Sequence, residues 1–291
     1  MNTWALRAIW ITLPVTAGGA AGDAIHAWSG APRLTAAILL WCGWALLVIA
    51  MLVPRPLSLT IARIGTPLAV AIALLTLSSP RPSTLASVVA IVATAATAGL
   101  STRGEFARVC AQGAAYGDEE RFPLKVPPGL VIGVLPFAIA IIGAAIAIGP
   151  LLLADRQWIV GAIAVAVLVP AAVIVARLIH QLSCRWIVLV PAGLVIADPL
   201  NLTDPVLFVR HRILGLGPAD PQRRPPEGAL DLRLGAAYGS CALLLSEDAD
   251  IMRRIRNRGV GVQANLLVFT PTANGRLLTS AAARRIHVRT E

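Results

Sequence analysis

Residues 157–190 read QWIVGAIAVAVLVPAAVIVARLIHQLSCRWIVLV, and the character of the chain changes within them. The part up to Ala176 is an apolar run of about 20 residues, the length that a helix needs to cross a bilayer. After His180, short segments alternate like strands and contain many arginines. The sequence therefore predicts a transmembrane helical domain over residues 1–179 and a small α+β domain over residues 180–291.

The composition agrees with a membrane protein. Hydrophobic residues make up 57% of the 291 residues, charged residues 14%, and the mean hydropathy is +0.75. These values exclude an ordinary soluble globular protein. We predict an α-helical integral membrane bundle with six spans near residues 4–22, 34–53, 61–77, 84–100, 129–153 and 157–176. A loop over residues 101–128, with a short amphipathic helix at its start, divides the bundle.

The first apolar run has two interpretations. Its basic start, its apolar stretch from Ala8 and its small residues at 18–22 are typical of a cleavable signal peptide. The single Arg7 before the stretch and Pro14 within it favour a retained helix instead. The bundle has six helices if the run is retained and five if it is removed.

The basic residues of the loops predict the orientation, because Lys and Arg concentrate in short cytoplasmic loops. With the C-terminal domain inside, the internal segments contain Arg7, Arg55, Arg63, Arg103, Arg108, Arg121, Lys125 and Arg177. The external loops then contain only Arg33, Arg81 and Arg156. We therefore expect a multi-pass protein of a bacterial plasma membrane with a cytoplasmic C-terminal domain.

The formal charge of +10 does not require a nucleic acid partner. Many of the basic residues carry the topology signal, and a basic face beside anionic lipid accounts for the others. We expect membrane lipids as partners, together with another membrane protein or a second copy of this chain.

No established motif for catalysis or cofactor binding occurs in the chain. Cys42, Cys110, Cys184 and Cys241 have neither CxxC spacing nor a histidine at metal-ligand spacing. We therefore expect no cofactor, no metal and no catalytic residue. None of the six runs contains Asp, Glu or His in its interior, which argues against a proton-coupled carrier.

Two polar groups in the C-terminal domain are candidate sites. Arginines of a predicted helix over residues 247–259, together with two after it, could form a basic surface for lipid or a partner. They are Arg253, Arg254, Arg256, Arg258, Arg284 and Arg285. A second cluster consists of Asp198, Asp204, Arg210, His211 and Arg212. Turns at the Asp-Pro steps and a solvated strand end explain this cluster without catalysis.

The domain begins with the hairpin pattern RWIVLVPAGLVI at residues 185–196, followed by further strands and a C-terminal helix. This order after a final membrane helix resembles bacterial, actinobacterial-type multi-pass membrane proteins with a C-terminal pleckstrin-homology-like (PH-like) domain. The resemblance implies a cytoplasmic PH-like α+β fold for residues 180–291.

These observations favour a non-enzymatic membrane scaffold or accessory protein, whose cytoplasmic domain binds a partner protein or anionic headgroups. A transporter or channel for a neutral or lipid-like solute is an alternative, because Pro67, Pro136 and Pro170 could kink their spans. An interfacial enzyme that uses Asp23 and His26, or Asp198 and His211, is another.

Overall fold

The computed structural model describes residues 3–78, 84–256 and 258–289, and Arg81 of the predicted external loops lies outside them. The chain forms two compact units. The first consists of Met1–Cys110 and Val134–His180, and the second of Ala111–Gly133 and Gln181–Glu291. The second unit is therefore built from two parts of the chain that the last two long helices separate.

The N-terminal apolar run forms three short helices, α1 (Trp4–Ile11), α2 (Leu13–Thr16) and α3 (Gly18–His26). Pro14 lacks a backbone N–H and glycines 18 and 19 favour the helix weakly, so a single long helix is interrupted here. The segment nevertheless packs closely. Trp10 is buried and donates from Nε1 to the Trp44 carbonyl at 3.1 Å, while Trp44 donates to the Trp10 carbonyl at 3.0 Å.

Five helices among the described residues are long and apolar enough to span a membrane, as predicted from five of the six runs. The first three are α4 (Gly30–Leu52), α5 (Pro56–Leu75, extended by a 3-10 turn to Ser78) and α6 (Thr84–Ser101). The short amphipathic helix α7 (Gly104–Gln112) follows. The last two of the five long helices are α8 (Leu135–Ala154), which a π-helical turn at Leu130–Val134 precedes, and α9 (Trp158–Ser183).

Glycines allow close approach between helices of the first unit. A Cβ atom added to Gly143 would lie 2.6 Å from Leu68 Cδ2, and one added to Gly149 would lie 2.5 Å from Val165 Cγ2. Small residues at 143–149 indicate such packing, and both glycines confirm it. Gly99, in the similar stretch 93–99, has nothing within 4 Å of its added Cβ.

Hydrogen bonds between side chains join α5 to its neighbours. The hydroxyls of Thr66 and Ser101 lie 2.9 Å apart, and Thr76 donates to Ser87 at 3.1 Å. Near the start of α5, the Thr60 hydroxyl lies 2.9 Å from Nδ1 of His180 on α9. These polar groups satisfy one another inside an apolar bundle, where an unpaired hydroxyl would be costly.

The second unit contains a four-stranded antiparallel sheet. Its strands, in spatial order, are β1 (Glu120–Pro123), β2 (Trp186–Val190), β3 (Gly193–Ala197) and β4 (Val206–Val209). The hairpin of β2 and β3 confirms the prediction from residues 185–197. The sequence predicts a loop over residues 101–128, whereas Glu120 to Pro123 within it pair with Leu189 to Trp186 as an edge strand.

A second four-stranded sheet contains β5 (Ile213–Pro218), β6 (Leu230–Asp231), β7 (Cys241–Ile255) and β8 (Arg258–Phe269), in the order β5-β7-β8-β6. Helix α10 (Asn274–Ala283) follows, near the predicted position. One hydrophobic core joins both sheets and the helix, with Phe122, Ile187, Leu216, Phe269 and Leu277 among its buried members.

The predicted helix over residues 247–259 is wrong, because these residues form the outer part of the β7–β8 hairpin. Acidic residues followed by arginines suit a helix dipole, but Ile251, Ile255 and Val260 also favour strands. Pairing of Ile251 with Val262 and of Arg253 with Val260 overrides the local signal. Ser246, directly before the predicted helix, lies where the β7–β8 register shifts, between Leu244 and Ala249.

The close approach at Gly149 can be tested by substitution. We expect Gly149→Leu to destabilise the first unit by about 1–3 kcal/mol, because its added side chain overlaps Val165. Gly99→Leu makes the same change where there is open space, and it should leave stability nearly unchanged. Thermal unfolding of the full chain in detergent measures both. Equal melting temperatures for the two variants would contradict the packing at Gly149.

Candidate functional surface

Residues 251–262 form what we call the hairpin tip, where four of the six predicted basic residues lie together. Arg253 and Arg254 end β7 and are half-buried, whereas Arg256 and Arg258 are exposed. Ile255 pairs with Arg258 across the turn, and Arg256 has a left-handed backbone with φ +46°. All four arginines therefore lie within a few residues of one turn.

The tip is fixed to the second unit along one edge. The Arg254 amide donates to the Asn201 carbonyl at 2.7 Å, and the Thr203 amide donates to the Met252 carbonyl at 3.0 Å. Ile251 belongs to the hydrophobic core. These contacts hold the base of the tip and leave its end to solvent.

Charge is separated along the hairpin. The exposed acidic residues Glu247, Asp248 and Asp250 precede the tip, which itself contains four arginines and no Asp or Glu. The tip also exposes apolar side chains: Met252 is 48% exposed, Ile255 44% and Val260 43%. Arginines beside exposed apolar groups are typical of surfaces that bind the membrane interface.

The other two predicted basic residues follow α10. Arg284 donates from Nη2 to Asp118 Oδ1 at 3.2 Å and from Nη1 to the Asp118 carbonyl at 2.9 Å. Arg285 is exposed and has a positive φ of 59°. The contacts of Arg284 therefore connect the end of α10 to residue 118.

A buried ion pair is the most connected polar group of the second unit. Arg185 donates from Nε to Asp198 Oδ1 and from Nη2 to Asp198 Oδ2, both at 2.8 Å, and the two side chains are 1% and 0% exposed. The guanidinium also donates to the carbonyls of Leu232 at 2.8 Å and Lys125 at 3.3 Å. Asn201 Nδ2 donates to Asp198 Oδ2 at 2.8 Å.

The remaining members of the predicted polar cluster are exposed. Asp198 lies in the core, whereas Asp204, Arg210, His211 and Arg212 lie at the surface. Arg210 donates to the Pro191 carbonyl at 2.6 Å, and Arg212 lies 3.6 Å from Glu247. Within the described ranges, no hydrogen bond or ion pair joins His211 to a carboxylate, so nothing orients its imidazole for acid–base chemistry.

Other groups that could support chemistry are dispersed. Asp23 and His26 are both exposed on α3. Among the described residues there is no group of three or more His, Cys, Asp or Glu that could hold a metal ion. Cys241 is buried and donates to Asn274 Oδ1 at 2.8 Å, and burial raises the pKa of its thiol to about 12. Its thiolate is therefore scarce at neutral pH.

The structural role of Arg185 was missed in the sequence, although the residue opens the hairpin pattern. A charged residue directly before an apolar strand is common, so Arg185 alone did not indicate a buried ion pair. The signal that could have indicated it is Asp198, directly after the next strand. Since β2 and β3 are antiparallel, the residue before one strand and the residue after the other are neighbours.

Comparison with known proteins leaves the family open. The chain matches no protein-family model, no curated protein and no solved structure.

Loss of one partner should show what the buried pair contributes. We expect Arg185→Met to destabilise the second unit by about 3–5 kcal/mol, because it leaves the buried Asp198 carboxyl without its partner. The double variant Arg185→Met/Asp198→Leu should recover part of this loss, since neither charge remains. Denaturant unfolding of the full chain, followed by near-UV circular dichroism, measures both.

Arg212→Met is the matched control, because it breaks an exposed pair with side chains that are 55% and 69% exposed. It should cost about 1 kcal/mol or less. If Arg185→Met costs no more than this control, the buried pair does not stabilise the fold as its contacts indicate.

Proposed function

We propose that this chain is a non-enzymatic scaffold or accessory protein of a bacterial plasma membrane, and that its hairpin tip binds anionic lipid headgroups. The observation that carries the proposal is the tip itself. Four arginines, no acidic residue and three exposed apolar side chains lie together there. Each basic residue close to an anionic membrane surface contributes about 1 kcal/mol, so four together suffice for docking.

Headgroups fit the tip better than a small-molecule substrate does. Arg256 and Arg258 project from a turn rather than into a cleft, which suits a broad anionic surface. Apolar side chains between the arginines can enter the boundary between headgroups and acyl chains. An acidic protein segment would satisfy the charges but would leave these apolar groups without a matching surface.

The orientation and the domain family belong to the same proposal. The excess of basic residues in the internal loops supports a cytoplasmic second unit. The order of strands followed by α10 supports a PH-like fold for it. The transporter and interfacial-enzyme alternatives stay predictions, without a specific observation that favours either.

Hydrogen exchange on the full chain in nanodiscs tests the docking. In nanodiscs with about a third of anionic phosphatidylglycerol, the amides of the hairpin tip should exchange more slowly than in pure phosphatidylcholine, because docking suppresses local opening. Raising the ionic strength to about 1 M should remove the difference, since the Debye length falls to about 3 Å. Arg256→Glu/Arg258→Glu should abolish it, because about 2 kcal/mol of attraction is lost and the two glutamates repel the anionic surface by a similar amount.

Arg223→Glu/Arg224→Glu makes the same charge change at another exposed site and should retain the protection. Protection of the tip that is independent of lipid charge would contradict the proposal. If the tip is protected only in native membranes and not in anionic nanodiscs, the ligand is a protein and the lipid assignment is wrong.

A further inference from the structure

A cavity of about 290 Å³ lies in the second unit, and none of its lining residues belongs to the hairpin tip. Its apolar lining comes from Ala242 of β7 and from Leu266 and Val268 of β8. Ala242 pairs with Val268, and the adjacent Leu243 and Leu267 belong to the hydrophobic core. Side chains alternate between the faces of a strand, so the cavity residues lie on the opposite face of this sheet.

The segment over residues 219–226 forms the other wall, and its start is anchored beside β7. The Ala219 amide donates to the carbonyl of Ser240, directly before β7, at 2.9 Å. Within the segment, Asp220 accepts from the Gln222 amide at 2.9 Å, and a turn at its end is closed by the Ala229 amide on the Pro226 carbonyl at 3.1 Å. Pro225 and Pro226 line the cavity, and their fixed φ angles stiffen this wall.

Three arginines also line the cavity. Arg223 and Arg224 are exposed, and neither makes an ion pair or a hydrogen bond to another described residue. Arg233 is held in place by Asp231, which accepts from Nε at 3.0 Å and from Nη2 at 2.8 Å. Its Nη1 donates no hydrogen bond within the described part of the chain, so this donor is free for a ligand.

The ion pair of Arg233 with Asp231 also affects the charge of the cavity lining. Burial acts to raise the pKa of Asp231, but the hydrogen bonds and the charge of Arg233 outweigh it, so the pKa of the carboxyl is lowered. Asp231 is therefore ionised at neutral pH and cancels Arg233. Asp231 lies outside the lining, where Asp220 is the acidic residue, against Arg223 and Arg224, which form no ion pair with the described residues. The lining as a whole favours an anion.

We propose that this cavity binds a small amphiphilic anion with a phosphate or carboxylate head and a single short apolar chain. The arginines bind the head through charge-assisted hydrogen bonds. The strand side chains and the two prolines cover the apolar chain. A volume of about 290 Å³ lies at the lower end of small-molecule sites, which fits one short chain rather than a two-chain lipid. The site is independent of the proposed docking by the hairpin tip.

Calorimetric titration of the full chain in phosphatidylcholine nanodiscs tests the site, with empty nanodiscs as the blank for partitioning. Octyl phosphate or octanoate should bind. Inorganic phosphate, which has the head alone, and octyl glucoside, which has a neutral head, should each bind roughly tenfold or more weakly. Amide hydrogen exchange in residues 219–226 should slow when the more tightly bound octyl anion is present. This change would locate the ligand.

Two variants separate the head from the chain. Arg223→Glu/Arg224→Glu should weaken binding of the octyl anion by roughly tenfold or more. Ala242→Phe places a large side chain in the apolar part of the cavity and should weaken binding of the octyl anion without changing the charge. Arg256→Glu/Arg258→Glu is the control for general electrostatics and should bind as the native chain does.

Failure of both octyl anions to bind would overturn the inference. So would unchanged affinity in Arg223→Glu/Arg224→Glu, or inorganic phosphate that binds as tightly as octyl phosphate. None of these results bears on protection of the hairpin tip by anionic lipid, so the two proposals can fail separately.

Discussion

The structure of the second unit depends on the ion pair between Arg185 and Asp198. A buried guanidinium without a counter-ion would be prohibitively costly, and this one is satisfied on several sides. Besides Asp198, it reaches the carbonyls of Lys125 and Leu232, which come from parts of the chain far apart in sequence. One side chain therefore specifies how three segments meet. Hydrophobic burial supplies most of the stability, but it does not by itself select this arrangement.

The segment before α8 shows why such a device is needed. Residues 118–125 are separated from the rest of their unit by two helices long enough to span a membrane. They rejoin it through β1, through the Leu124 amide on the Arg185 carbonyl at 3.0 Å and through the Lys125 amide on the Thr270 carbonyl at 2.8 Å. A polar pair with strict geometry fixes the position of this segment, and packing then excludes water around it.

Some arginines of the second unit form ion pairs, and others are exposed to solvent. Arg284 forms an ion pair with Asp118, and Arg233 forms one with Asp231. Among the described residues, Arg223 and Arg224 at the cavity and the exposed Arg256 and Arg258 at the hairpin tip form no ion pair, and each group lies beside apolar side chains. Cationic groups next to apolar surface suit amphiphilic ligands at both places: a membrane interface at the tip and a small anion in the cavity.

The apolar runs predicted the five long helices because each side chain faces a similar apolar surrounding, so composition over about 20 residues suffices. The β2–β3 hairpin was also predictable from local sequence, because a turn pattern joins two short apolar runs within residues 185–196. The β7–β8 hairpin was not, because pairing of Ile251 with Val262 depends on distant partners, whereas the charges of residues 247–258 mimic a capped helix. Strand β1 and the cavity depend on tertiary contacts.

Amide hydrogen exchange of the full chain in nanodiscs is the most direct test of whether residues 120–125 are fixed to the unit that Arg185 and Asp198 hold together. Leu124 and Lys125 should exchange as slowly as Ile187 and Leu189. Exchange as fast as that of residues 221–227, which form no strand, would contradict it.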